Sequence, residues 1–107
     1  MQAIRGFGAL FICLAPLCAQ AQEPGDTLAG QRYAQAYCTQ CHALGEAPSP
    51  HLDAPSFFAL ANTPGITGRA IAAALQTSHT TMPNLVVEPR DRDNVVAYIT
   101  SLRQESP

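Results

Sequence analysis

The chain has 107 residues and a formal net charge of −2, and 47% of its residues are hydrophobic. That length allows a single domain, and that share of hydrophobic residues excludes a disordered tail. All six basic residues are arginines and none of them forms a basic stripe, so the sequence does not predict a nucleic-acid partner.

The N-terminal segment has the three parts of a secretory signal peptide. Arg5 is its only charge, an apolar run extends from Gly6 to Cys18, and Ala19-Gln20-Ala21 is a small-x-small cleavage pattern. The apolar run is shorter than the ~20 residues that span a bilayer. We therefore expect residues 1–21 to be a signal peptide cleaved near Ala21. Residues 22–107 would then form one domain in the periplasm, with no stable membrane span.

Cleavage would leave two cysteines and one methionine, with eight acidic and five basic residues. A domain this small is marginal on its hydrophobic core alone, and it is typically stabilised by a disulfide, a metal or a cofactor.

The first helix is predicted from Asp26 to Tyr37. Asp26 or Thr27 can cap its beginning, and Leu28, Tyr33 and Tyr37 recur at roughly helical spacing.

Residues 38–42 read Cys-Thr-Gln-Cys-His, which is the attachment motif of a c-type haem. Residues three apart lie on one face of a helical turn, so both thiols can add to the vinyl groups of one haem. The residue that follows then lies beneath the ring, where its Nε2 can reach the iron. The motif predicts one covalent haem c with its iron, attached through Cys38 and Cys41 and ligated by His42.

Two other chemistries use the same residues. A disulfide or thioredoxin-like redox pair also has the Cys-x-x-Cys spacing, but it normally opens a helix after a strand, and no strand-like run precedes Cys38. A zinc site needs four ligands. It could recruit Cys38, Cys41, His42 and either His51 or His79, although nothing resembles a second ligand pair.

Three further helices are predicted after a loop that glycine and prolines impose between His42 and Pro55. They cover residues 56–61, 68–77 and 89–103; Ser56 and Thr67 cap the first two, and Pro89 opens the third. Val95, Ile99 and Leu102 form an apolar stripe on the last helix. The pattern predicts an all-α fold.

Met82 is the predicted sixth ligand of the iron. It would be the only thioether in the cleaved chain, and it precedes Pro83 in a polar stretch that should be extended or looped. His51, His79 or an open site are the alternatives, and a histidine ligand would lower the reduction potential.

The chain resembles a class I cytochrome c. The resemblance rests on Cys-x-x-Cys-His near the start, Met82-Pro83 in a late loop and a terminal amphipathic helix. It is closest to the small bacterial periplasmic members, which have an Ala-Pro-x-Phe segment, here Ala54-Pro55-Ser56-Phe57. The resemblance implies a cytochrome c fold, with about four helices wrapped around one covalent haem.

The resemblance also implies two local contacts. A proline carbonyl should accept the Nδ1–H of His42, and Pro55 is the first choice for it, with Pro48 and Pro50 also within reach. A glycine at position 30 should let the first helix cross the last one closely beside Tyr98.

The predicted function is outer-sphere electron transfer rather than enzyme catalysis, because two axial ligands disfavour substrate binding at iron. The chain could be a monomeric soluble carrier or the haem subunit of a periplasmic dehydrogenase. The alternative is a small haem sensor or peroxidase-like domain with a labile sixth ligand. Members of the family commonly surround the haem edge with lysines, and this chain has none. Docking to redox protein partners should therefore rest on a few arginines or on apolar contact.

Overall fold

The computed structural model describes residues 6, 8, 10–12, 14, 25–77, 82 and 85–105. Its four helices are α1 (Thr27–Tyr37), α2 (Phe57–Ala61), α3 (Gly68–Gln76) and α4 (Pro89–Ser101). The described residues contain no strand. The all-α prediction is confirmed, and the predicted helix ends differ by no more than two residues. The cleavage site at Ala21 and the alternative ligand His79 lie outside the described residues.

Local signals explain where the helices begin. The side chains of Asp26, Ser56 and Thr67 each accept a hydrogen bond from the backbone N–H three residues later, at 3.0–3.1 Å. Such caps satisfy donors that have no partner inside the helix. Helix α4 instead begins with Pro89, whose missing N–H costs nothing at that position.

Helices α1 and α4 cross closely at Gly30. A Cβ atom at this position would overlap the backbone carbonyl of Asn94 and lie 2.9 Å from the Cβ of Tyr98. The backbone N–H of Asp26 donates to Asn94 Oδ1 at 2.8 Å, which ties the start of α1 to α4. The predicted close crossing beside Tyr98 is therefore present.

The buried residues of α1 are not its large side chains. Gly30 and Ala34 are buried, whereas Leu28 and Tyr37 are exposed. Contact with α4 is decided by how closely the two backbones can approach, so the smallest residues of α1 face the core.

The core is small and centres on α4. Val95 and Ile99 are each 1% exposed, and α1, α2 and α3 all pack against their helix. The buried hydrophobic residues of the described chain are Ala34, Phe57, Ala61, Ile71, Val95, Tyr98 and Ile99. So few side chains make a weak core for a domain of this size. None of the helices in the described ranges is long and apolar enough to cross a membrane.

Candidate haem site

The Cys-x-x-Cys-His segment continues the end of α1 as a hydrogen-bonded turn. The N–H of Cys38 donates to the carbonyl of Ala34 at 2.9 Å. The N–H groups of Cys41 and His42 then both donate to the carbonyl of Cys38, at 3.3 and 2.9 Å. The two thiols and the imidazole are therefore presented by one turn whose backbone is anchored to α1.

The ring of His42 is oriented by a carbonyl. Its Nδ1 lies 2.7 Å from the carbonyl oxygen of Pro55, the first choice among the three prolines considered. A carbonyl oxygen can only accept, so Nδ1 is the donor, and in the neutral ring Nε2 keeps a free lone pair. The ring of Phe57 packs beside the imidazole, with centroids 5.4 Å apart. The histidine thus has the tautomer that a metal ligand needs.

The loop that supplies this carbonyl is itself pinned. The N–H of Phe57 donates to the carbonyl of Ala43 at 2.9 Å, and the N–H of Ala43 donates to Ser49 Oγ at 3.0 Å. The N–H of His51 donates to the carbonyl of Cys41 at 3.2 Å. These bonds hold residues 43–57 against the turn that carries His42.

A cavity of about 290 Å³ opens beside this turn. Close-packed protein interiors have few voids larger than a water molecule, so a cavity of this size in so small a domain indicates a ligand site. Its lining includes Cys38, Cys41, His42 and Met82. The lining is otherwise largely apolar and aromatic, with residues that include Tyr33, Tyr37, Phe57, Leu60, Ile71, Leu75, Leu85, Val87, Val95 and Ile99. The cavity offers two thiols that can attach the vinyl groups of a haem, an imidazole that can ligate its iron and a thioether that can do the same, so the residues present fit haem c.

The cavity also brings in residues that sequence reasoning did not assign. Leu85 and Val87 line it from the irregular segment before α4, whereas Val86 between them is 82% exposed. Tyr33 and Tyr37 line it from one face of α1, with ring centroids 4.7 Å apart. Their i, i+4 spacing was visible in the sequence, and it marks a wall of the cavity where Tyr33 also packs against the core.

The described residues give little support to the thiol and zinc chemistries. Burial raises the pKa of the Cys38 thiol, whereas a reactive redox thiol needs a lowered pKa. No disulfide joins Cys38 to Cys41. Within the described ranges, no three His, Cys, Asp or Glu side chains converge as metal ligands. His51 lines the cavity, and the other candidate, His79, is not among the residues described.

One family model matches the chain. It is described as cytochrome C oxidase, cbb3-type, subunit III, and it matches residues 25–99. The matched segment runs from just before α1 into the last turn of α4, and it includes residues 38–42 and Met82. No curated protein and no solved structure matches the chain.

Proposed function

We propose a mechanism of electron transfer for this chain, which belongs to the family described as cytochrome C oxidase, cbb3-type, subunit III. The chain is a class I monohaem c-type cytochrome, and its cofactor is a covalently bound haem c with iron. In our proposal Cys38 and Cys41 attach the haem, His42 and Met82 are the axial ligands, and Pro55 orients His42.

One observation carries this assignment. His42, whose protonated Nδ1 faces the carbonyl of Pro55 at 2.7 Å, lines the same cavity as both thiols and Met82. Because the other nitrogen of the ring is left as an acceptor, His42 can ligate iron as a neutral imidazole.

The chain's own residues would control the reaction by positioning and by excluding water. When bound, haem c supplies one-electron chemistry at its iron. Met82 would be the second protein ligand of the iron besides His42, so that no position would be left for a substrate, and methionine ligation would raise the potential. The apolar side chains around the cavity would exclude solvent and favour the less charged state of the site.

We further propose that residues 1–21 direct export, that cleavage occurs near Ala21, and that the domain works in the periplasm. There it would exchange electrons with protein partners, either as a soluble carrier or as the haem subunit of a dehydrogenase complex.

The optical spectrum and carbon monoxide binding test the ligand set. The oxidised protein should show a weak near-infrared band from sulfur-to-iron charge transfer. Met82→His should abolish this band and lower the midpoint potential, whereas the control His51→Gln should keep the band. The reduced wild type should refuse carbon monoxide, and Met82→Ala should bind it. Rapid binding by the wild type at neutral pH would instead favour a sensor or a peroxidase-like domain.

A further inference from the structure

Leu52 lies at the tip of a hydrogen-bonded turn beside the cavity. The side chain of Leu52 is 96% exposed. The N–H of Ala54 donates to the carbonyl of His51 at 3.1 Å, and the N–H of Asp53 donates to His51 Nδ1 at 3.3 Å. The turn is attached to the haem-binding segment, because the N–H of His51 donates to the carbonyl of Cys41. Turn positions usually hold Gly, Pro, Asn, Asp or Ser. An apolar side chain that stays exposed to water here does not stabilise the fold by burial.

This turn lies at the mouth of the cavity. His51 and Asp53, the two neighbours of Leu52, both line it. Tyr37 lines it as well and is still 61% exposed. Leu52 and the amphipathic ring of Tyr37 therefore border the place where the cofactor site opens.

The charge at this mouth is negative. From residue 33 to residue 68 the chain has no arginine or lysine, and its two charged side chains are Glu46 and Asp53. Asp53 is the one charged residue among the described residues that line the cavity, and no described arginine lines it. Docking through arginines, one of the two modes that the sequence left open, therefore has no support at this surface.

We propose that Tyr37, Leu52 and Asp53 form the docking surface for a redox protein whose own surface is apolar at its centre and basic at its rim. The inference rests on the proposed function, since it names the partner chemistry of the same haem site. Burial of Leu52 would drive association through apolar contact, and Asp53 would attract the partner's cations. A second copy of this chain is a poor occupant, because the like charges of two Asp53 side chains would oppose each other.

Two small oxidants of opposite charge test the surface. Tris(phenanthroline)cobalt(III) is an apolar trication, and hexacyanoferrate(III) is a polar anion; each takes one electron from the reduced, haem-loaded protein. The second-order rate constant is measured by stopped flow over a range of ionic strength. With the cobalt complex, Leu52→Ser and Asp53→Asn should each lower the rate constant about two- to threefold, and the wild-type rate constant should fall with added salt. With hexacyanoferrate(III), Asp53→Asn should raise the rate constant and Leu52→Ser should leave it unchanged.

Matched control variants separate local effects from general ones. Leu28→Ser removes a half-exposed leucine of α1 that does not line the cavity, and Glu105→Gln removes an exposed charge near the C-terminus. The proposal is overturned if Leu52→Ser behaves like Leu28→Ser, or if Asp53→Asn changes the rates no more than Glu105→Gln. The proposal is also overturned if Leu52→Ser shifts the midpoint potential and slows both oxidants equally, since Leu52 would then cover the haem. It is overturned as well if the wild type is a dimer and Leu52→Ser converts it to a monomer. In each of these cases, fast oxidation of the wild type would still support the proposed function of electron transfer. If neither oxidant oxidises the reduced wild type, the proposed function itself is refuted.

Discussion

Replacement of Gly30 by alanine should destabilise the folded protein although alanine is the better helix former. At Gly30 a new Cβ would overlap the backbone carbonyl of Asn94, and it would lie 2.9 Å from the Cβ of Tyr98. A backbone group cannot rotate aside as a flexible side chain can. The two helices must therefore separate, and separation also stretches the 2.8 Å hydrogen bond from Asp26 to Asn94.

The size of the effect follows from three contributions. Alanine in place of glycine inside a helix is favourable by about 1 kcal/mol. Overpacking of a well-packed contact costs about 1–3 kcal/mol, and a backbone overlap belongs at the upper end of that range. Loss of the hydrogen bond between Asp26 and Asn94 adds about 0.5–1.5 kcal/mol. We therefore expect a net loss of about 2.5–3.5 kcal/mol in the free energy of unfolding, which lowers Tm by roughly 10–28 °C in a domain of this size.

Urea denaturation of the haem-loaded protein measures this free energy, and a thermal scan measures Tm. Gly45→Ala is the matched control, because no atom lies within 4 Å of the Cβ that it adds. The control should change stability by no more than about 0.5 kcal/mol. If Gly30→Ala proves as stable as the wild type, or more stable, the close crossing of α1 and α4 is refuted.

Two other predictions concern the cofactor and the core. Replacement of Cys38 and Cys41 together by alanine should prevent stable folding, because the small core then has no attached haem to bury. A cooperative melt of the haem-free double variant would contradict this prediction. A pyridine haemochrome spectrum of the wild type without c-type bands would refute haem attachment itself. Burial raises the pKa of Tyr98, so its contribution to stability is complete below the ordinary tyrosine pKa of ~10 and is lost as the pH rises through the folded-state pKa. Between pH 8 and 11 the urea midpoint of Tyr98→Phe should accordingly fall less than that of the wild type. If the two urea midpoints fall equally with pH, ionisation of the Tyr98 phenol does not contribute to the loss of stability.

The helices were predictable because their signals are local. Asp26, Ser56 and Thr67 are good capping residues, and each of them caps a helix in the structure. The contact face of α1 was not predictable from hydrophobic spacing, since Gly30 and Ala34 carry almost no hydrophobic signal. What marks that face is the approach of the α4 backbone, which is a property of the assembled fold.

The cofactor was predictable from the sequence, and the walls of the cavity were less so. Cys38, Cys41 and His42 have a fixed spacing that few other sites share, and Met82 had no competing thioether after the expected cleavage. Leu85 and Val87 escaped notice because two apolar residues at alternate positions are too short a pattern to predict which face is buried. The turn at residues 51–54 escaped notice for a different reason, since its exposed leucine breaks the usual turn composition.

Hydrogen bonds hold the turn that carries His42, and apolar side chains from the segment after Met82 line the cavity. On the histidine side, hydrogen bonds connect α1, the turn of residues 38–42 and the loop to Phe57, so the position of His42 is specified by the protein backbone. On the methionine side, the described residues Leu85 and Val87 contribute apolar side chains that face the cavity. Apolar contact needs a surface to cover, and the cofactor supplies it. We therefore expect the histidine side to be built before haem attachment and the methionine side to gain its stability from the attached haem.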